Sequence, residues 1–189
     1  MYNVSTPVNN VSTPSQKKDD LASDRGVDYS RLKDLLKAGK WKAADKETAR
    51  VMCQAANRSK EEYLREKDID NFPCTDLRTI NQLWLDYSGG KFGFSVQKEI
   101  YHRLGGTRDY NQEVWQTFGD TVGWSKAGSW LYYRNITYNI SDPQGHLPYS
   151  GCGWVGKLGL EWLWVLGGGW EWRGILYVDL FSRVETCRL

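Results

Sequence analysis

The chain is short of histidine, of charge imbalance and of long apolar runs. Only His102 and His146 are present, and 25 lysines and arginines face 23 aspartates and glutamates, for a net charge of +2. So even a balance excludes the basic field that a nucleic-acid partner requires. No stretch approaches the ~20 apolar residues of a membrane-crossing helix. The most apolar run, residues 158–169, is shorter and contains Glu161. Exposed tryptophans leave peripheral contact with a membrane surface open. Cys53, Cys74, Cys152 and Cys187 form no Cys-x-x-Cys pair, which excludes the usual zinc spacing. With no apolar leader ahead of them, they read as free thiols in a reducing compartment. Cys187 is then an inert buried thiol or a redox-active one.

Catalytic motifs are missing too. The chain has no Gly-x-x-x-x-Gly-Lys-Ser/Thr phosphate loop and no Gly-x-Ser-x-Gly nucleophile elbow. Gly151, Gly153 and Gly156 fit the bare dinucleotide spacing, but no clear strand precedes them and no βαβ unit surrounds them. Carboxylates such as Asp68 and Asp70 sit in charge runs that read as solvated faces, and nothing pairs them as acid and base. His102 falls at a helix end, where it complements the dipole. His146 lies in a turn and either bonds backbone or ligates a metal. The expectation is a protein without catalytic residues or a resident metal.

What the chain does have is tryptophan and glycine in one place. Five of its ten tryptophans, Trp154, Trp162, Trp164, Trp170 and Trp172, fall within residues 151–174, among many glycines. Glycine loosens backbone, and tryptophan offers a broad apolar face with one donor. The segment reads as a mobile aromatic lid over a flat apolar ligand, or as core filling or a hairpin strand.

Residues 1–27 repeat Asn-Val-Ser-Thr-Pro twice and lack apolar periodicity, so they read as a disordered tail. The tail has no apolar h-region and a single arginine, Arg25, which points to a cytosolic protein of a bacterial type. From Asp28 onward the periodicity is helical. Asp28 caps a helix with Leu32, Leu35 and Leu36 on one face, ended by Gly39. A second helix runs from Trp41 to about Ala56. Asp76 caps a third that carries Leu77, Ile80, Leu83, Trp84 and Tyr87. Ser95 starts a fourth with Val96, Ile100 and Leu104 inward, and residues 109–118 form a fifth. Residues 124–140 read as a short hairpin or an irregular segment, residues 142–145 as a turn, and residues 175–187 as a last helix.

A second candidate binding feature is the glycine turn of residues 87–94. It presents Lys91, Phe92 and Phe94 together, either as a floor for a flat ligand with a cation at its rim or as a staple between two helices.

Six ordered stretches carry a resemblance: DYSRLKDLLKAGKWKAADKETARVM, NFPCTDLRTINQLW, YSGGKFGFSVQKEIY, FGDTVGWSKAGSWL, PQGHLP and LFSRVETC. In these the chain resembles the Genomes-Uncoupled-4 family, porphyrin-binding activators of magnesium chelatase. The resemblance implies an all-α, cupped, multihelical domain over residues 28–189, with the tryptophan-rich loop as its flap. It implies binding of protoporphyrin IX and Mg-protoporphyrin IX without enzymatic activity, and the large subunit of magnesium chelatase as partner. Many family members carry an extra helical bundle ahead of this domain. The expected ring-facing wall is Phe92, Phe94 and Trp124, with Trp154 and Trp162 in the flap. Arg78, Lys91, Lys126 and Arg183 are the expected partners of the two propionates. The expected protein is monomeric and cytoplasmic, with peripheral contact to photosynthetic membranes. The competing readings are a tetrapyrrole sensor and a helical interaction module, neither of which activates the chelatase.

Overall fold

Leucines at helical spacing build the first hairpin. The computed structural model describes residues 21–150 and 169–189, apart from the side chains of residues 169–173. Helix α1 (Ser30–Lys37) buries Leu32 and Leu36, and Asp28 Oδ1 accepts the Ser30 N–H. Gly39 ends it at φ +64°, a left-handed conformation that side chains disfavour. Helix α2 (Trp41–Ala55) returns along α1 and buries Ala44, Thr48, Val51 and Met52.

The charged stretch that follows holds a five-residue helix, α3 (Glu66–Asp70), with Ile69 fully buried. Periodicity cannot reveal so short an element. It is fixed by Arg65, whose Nε and Nη2 both donate to Asp68. Helix α4 (Cys74–Ser88) follows, then α5 (Phe94–Arg103) and α6 (Gln112–Val122). Helix α6 starts three residues later than the sequence suggested, because Asn111 supplies the cap: its Oδ1 accepts the Glu113 and Val114 N–H groups. The aromatic stretch after it folds into a two-residue ladder, β1 (Ser125–Lys126) against β2 (Ser129–Trp130), with Ser125 opposite Trp130. A 3-10 turn at Tyr133–Asn135 follows. Helix α7 (Gly169–Thr186) packs on α3, α5 and α6. The architecture is all-α, as expected.

Two expectations need correction. Residues 21–27 belong to the fold rather than to a tail. Ser23 Oγ and the Asp24 N–H donate to Asp76, the Ala22 carbonyl accepts from Thr79, and Val27 is buried. Asp76 therefore does not cap its own helix. It is the third residue of α4, wholly buried, and it also accepts from the Tyr29 hydroxyl at 2.7 Å. Nor are the cysteines all free thiols. Cys74 and Cys187 form a disulfide with Cα atoms 5.3 Å apart, joining the start of α4 to the end of α7. Only the packing of those two helix ends brings residues 113 positions apart together. The pairing also removes the sequence-based case for a reducing compartment. Among the described residues, Cys53 is free and buried, and burial pushes its thiol up to about 11.

Candidate functional site: an aromatic cluster between α6 and α7

Tyr149 and Ser150 are the last described residues before position 151. Both donate their backbone N–H to Asp45 Oδ1 on α2, at 2.6 and 2.9 Å. Asp45 is fully buried, so this charge-assisted pair pins the chain at that point. From the other side, the Tyr177 hydroxyl of α7 donates to the Tyr149 carbonyl at 2.7 Å. Strands of contact thus run from α2 through residue 149 to α7.

Between these anchors lies an array of rings. Trp124 meets Tyr149 and Tyr177 edge-on, with centroids 5.2 and 5.0 Å apart. Trp115 stacks on Trp130 at 5.4 Å and on Phe118 at 5.1 Å. Tyr133 reaches Tyr149 at 5.9 Å and Tyr138 at 6.1 Å. Close approach depends on two glycines. A Cβ at Gly119 would overlap the Trp130 ring, and one at Gly174 would overlap Tyr110 and lie 2.9 Å from Trp115 Nε1. The floor, Trp115, Trp124 and Tyr177, is sealed. The rim, Tyr110, Val114, Trp130, Leu131, Tyr133 and Tyr138, is only half-buried.

Trp115 Nε1 is buried in this apolar setting without a hydrogen-bond partner, while the Tyr133 hydroxyl is set against the hydroxyls of Tyr138 and Ser150. Burial, then the Asp45 carboxylate, drives the Tyr138 hydroxyl far up in pKa, and burial raises that of Tyr133. Both stay neutral donors across the physiological range. The arrangement offers flat apolar area and a few neutral donors, which suits a planar ligand better than proton transfer.

The residues expected from sequence are scattered. Trp124 lies fully buried at the centre of the ring cluster, with Nε1 donating to the His146 carbonyl at 2.8 Å. Lys126 is exposed on β1, beside it. The others lie elsewhere. Phe92 and Phe94 are fully buried rather than lining an open wall. Phe92 packs against Trp41 and Trp84, so its staple role is the one realised. Lys91 Nζ donates to the Ile140 carbonyl. Arg78 Nη2 donates to the Cys187 carbonyl, and Arg183 donates to the Phe72 carbonyl through Nε and Nη2. Both guanidiniums thus hold helix ends together. Trp154 and Trp162 lie outside the described residues. His146 is buried, its ring nitrogens 2.6 and 3.0 Å from the carbonyls of Val122 and Thr137, which leaves it no free face for a metal.

Sequence reasoning missed Asp45, Trp115, Trp130, Tyr133, Tyr138, Tyr149 and Tyr177. It also missed Lys42, whose ammonium sits 5.5 Å from the Tyr138 ring centre. The density of tryptophan and tyrosine in residues 115–149 was the available signal.

Comparison with known proteins agrees with this architecture. The chain is 34% identical over 131 residues to the Ycf53-like protein of Synechocystis, covering 68% of this chain and 53% of that protein. It is 27% identical over 130 residues to the chloroplastic tetrapyrrole-binding protein of Arabidopsis thaliana, covering 65% of this chain and 48% of that protein. The chain therefore spans about half the length of the curated relatives it matches. The solved structure of GUN4 from Chlamydomonas reinhardtii superposes with a TM-score of 0.63 at 26% identity, over 85% of this chain and 92% of that one. Ligand-free GUN4 from Arabidopsis thaliana shares the fold, with a TM-score of 0.59 at 22% identity, over 79% of this chain and 94% of that one. No helix among the described residues is long and apolar enough to cross a membrane. The GUN4-like family model matches residues 22–161, most of the fold built above, and the chain belongs to that family.

Proposed function

We propose that the aromatic cluster between α6 and α7 is where the chain binds a tetrapyrrole, protoporphyrin IX or its magnesium complex. The observation that carries this reading is a half-buried aromatic edge, Trp130, Tyr133 and Tyr138, packed over the fully buried rings of Trp115, Trp124 and Tyr177. The name of the Arabidopsis relative supports the ligand class. A porphyrin is flat and apolar with two carboxylates on one edge. Burying several hundred Å² of it at ~25 cal/mol per Å² supplies a large gross driving force, which ordering and lost ligand freedom offset in part. Trp130, Tyr133 and Tyr138 would meet the ring face. Lys42 over the Tyr138 ring, Arg134 over the Tyr132 ring and the exposed Lys126 would meet the propionates. Trp154 and Trp162 complete the proposed set on sequence grounds.

The role is binding rather than catalysis. Holding a porphyrin against a half-buried aromatic edge suits delivery to a second protein, and the large subunit of magnesium chelatase is the proposed recipient. The reading includes a cytoplasmic monomer with peripheral contact to photosynthetic membranes. The test is a titration of the purified chain with protoporphyrin IX and Mg-protoporphyrin IX, read by quenching of tryptophan fluorescence. Saturable binding that Trp130→Ala weakens at least severalfold is expected. No saturable binding of either ligand sinks the proposal. Adding the chain to reconstituted chelatase tests the partner, with faster magnesium insertion as the expected result.

A further inference from the structure

The disulfide between α4 and α7 takes no part in the aromatic cluster, and it is not the sole link between the segments it joins. The two helix ends it joins are held twice more without it. Arg78 of α4 reaches the Cys187 carbonyl at 2.9 Å, and Arg183 of α7 reaches the Phe72 carbonyl at 2.6 and 2.8 Å. The Leu189 N–H donates back to the Val184 carbonyl, and Lys98 Nζ donates to the Leu189 carbonyl. Opening the S–S bond therefore leaves the two sulfurs close together and ready to rejoin. The sulfurs also differ. Cys187 is 1% exposed, whereas Cys74 is only half-buried. Cys74 is the first residue of a 15-residue helix, where unpaired N–H groups favour a thiolate.

We propose that Cys74–Cys187 is a site of reversible thiol–disulfide exchange with a protein dithiol, entered at Cys74 Sγ. A thiolate of the reductant attacks Cys74 Sγ. The S–S bond breaks, and Cys187 leaves as a thiolate and takes a proton from water. The second thiol of the reductant loses its proton and attacks its own sulfur in the mixed disulfide. That step expels Cys74 as a thiolate, favoured by the helix end, and Cys74 is then protonated. Two electrons and two protons pass from the dithiol, which becomes a disulfide, to the cysteine pair. Reduction frees the last turn of α7 from its covalent tether while its hydrogen bonds keep it in place.

The experiment uses the full chain with Cys152→Ser, oxidised, under native conditions. Thioredoxin serves as the dithiol and glutathione as the monothiol control. The expected result is one newly alkylatable thiol under native conditions, Cys74, with Cys187 labelled after a denaturing quench, and reduction roughly tenfold or more faster with the dithiol because its second thiol resolves the adduct. Far-UV circular dichroism stays unchanged, and the disulfide re-forms once the reductant is removed. Thioredoxin lacking its resolving cysteine should be trapped on Cys74. The variant Cys74→Ser with Cys187→Ser should remain folded. Reduction only in denaturant, unfolding upon reduction, an adduct on Cys187, or free Cys74 and Cys187 thiols in the oxidised protein would each overturn the proposal.

Discussion

Asp179→Asn should make the protein more stable at neutral pH and leave it unchanged in acid. Asp179 lies on α7 with Oδ2 buried and unpartnered. Burial first, then Glu66 and Asp70 on the facing helix α3, push its carboxyl up from 3.8 to about 6, and Arg108 offsets this only in part. A carboxyl raised on folding contributes stability that is fully present below 3.8 and lost as the pH climbs through about 6. At ~1.36 kcal/mol per pH unit the full difference is about 3 kcal/mol. Because the side chain is partly open to solvent, screening reduces this to about 1 kcal/mol. Asparagine has the same shape and carries no charge, so it escapes the loss. Urea unfolding of both proteins, followed by tryptophan fluorescence, measures the effect. The midpoint of the variant should lie roughly 0.5 M higher at pH 7.5 and coincide with the parent well below pH 3.8. Every other carboxylate is common to both chains and cancels. An equal difference at the two pH values, or a less stable variant at pH 7.5, would show that repulsion from α3 does not act on this residue.

Three further outcomes follow from single contacts. Asp45→Ala strips the acceptor from the buried Tyr149 and Ser150 N–H groups. It should cost about 3 kcal/mol in chemical denaturation and weaken porphyrin binding in the same preparation. Asp76→Ala removes the acceptor of Ser23, Asp24 and Tyr29. It should cost about 2–4 kcal/mol and expose residues 21–27 to limited proteolysis. Gly119→Ala places a methyl group where the Trp130 ring lies. It should lower porphyrin affinity severalfold by titration while circular dichroism keeps its helical form.

The helices were legible because their burial repeats every three to four residues. Leu32 and Leu36, or Leu77, Ile80 and Trp84, announce a face before any partner is known. Helix α3 was not, since one buried isoleucine in five residues carries no period. The glycine turn before α5 was found, but not its direction. Gly93, at φ +140° and with Asn81 Oδ1 only 3.0 Å from where a Cβ would sit, belongs to a turn that leaves both phenylalanines in the core. The candidate site was half legible. Its tryptophans were visible as composition. Its assembly from α6, the β1–β2 ladder, residue 149 and α7 is a tertiary event with no local signature. Arginine misled for a related reason. A guanidinium seeks carboxylates and carbonyls alike, and Arg78 and Arg183 found helix-end carbonyls within the fold.

Those two arginines cross over. Each starts from one helix and fastens the neighbour's extremity, Arg78 at residue 187 and Arg183 at residue 72. Axial sliding of α7 past α4 would have to break these short links, so the two arginines oppose translation. The soft mode left to the helix is a pivot about its bolted end, with displacement growing towards Tyr177 and Gly174. Small tilts at the foot are thereby geared into larger displacements where α7 meets Trp115 and Trp124, the rings through which the proposed ligand would be felt.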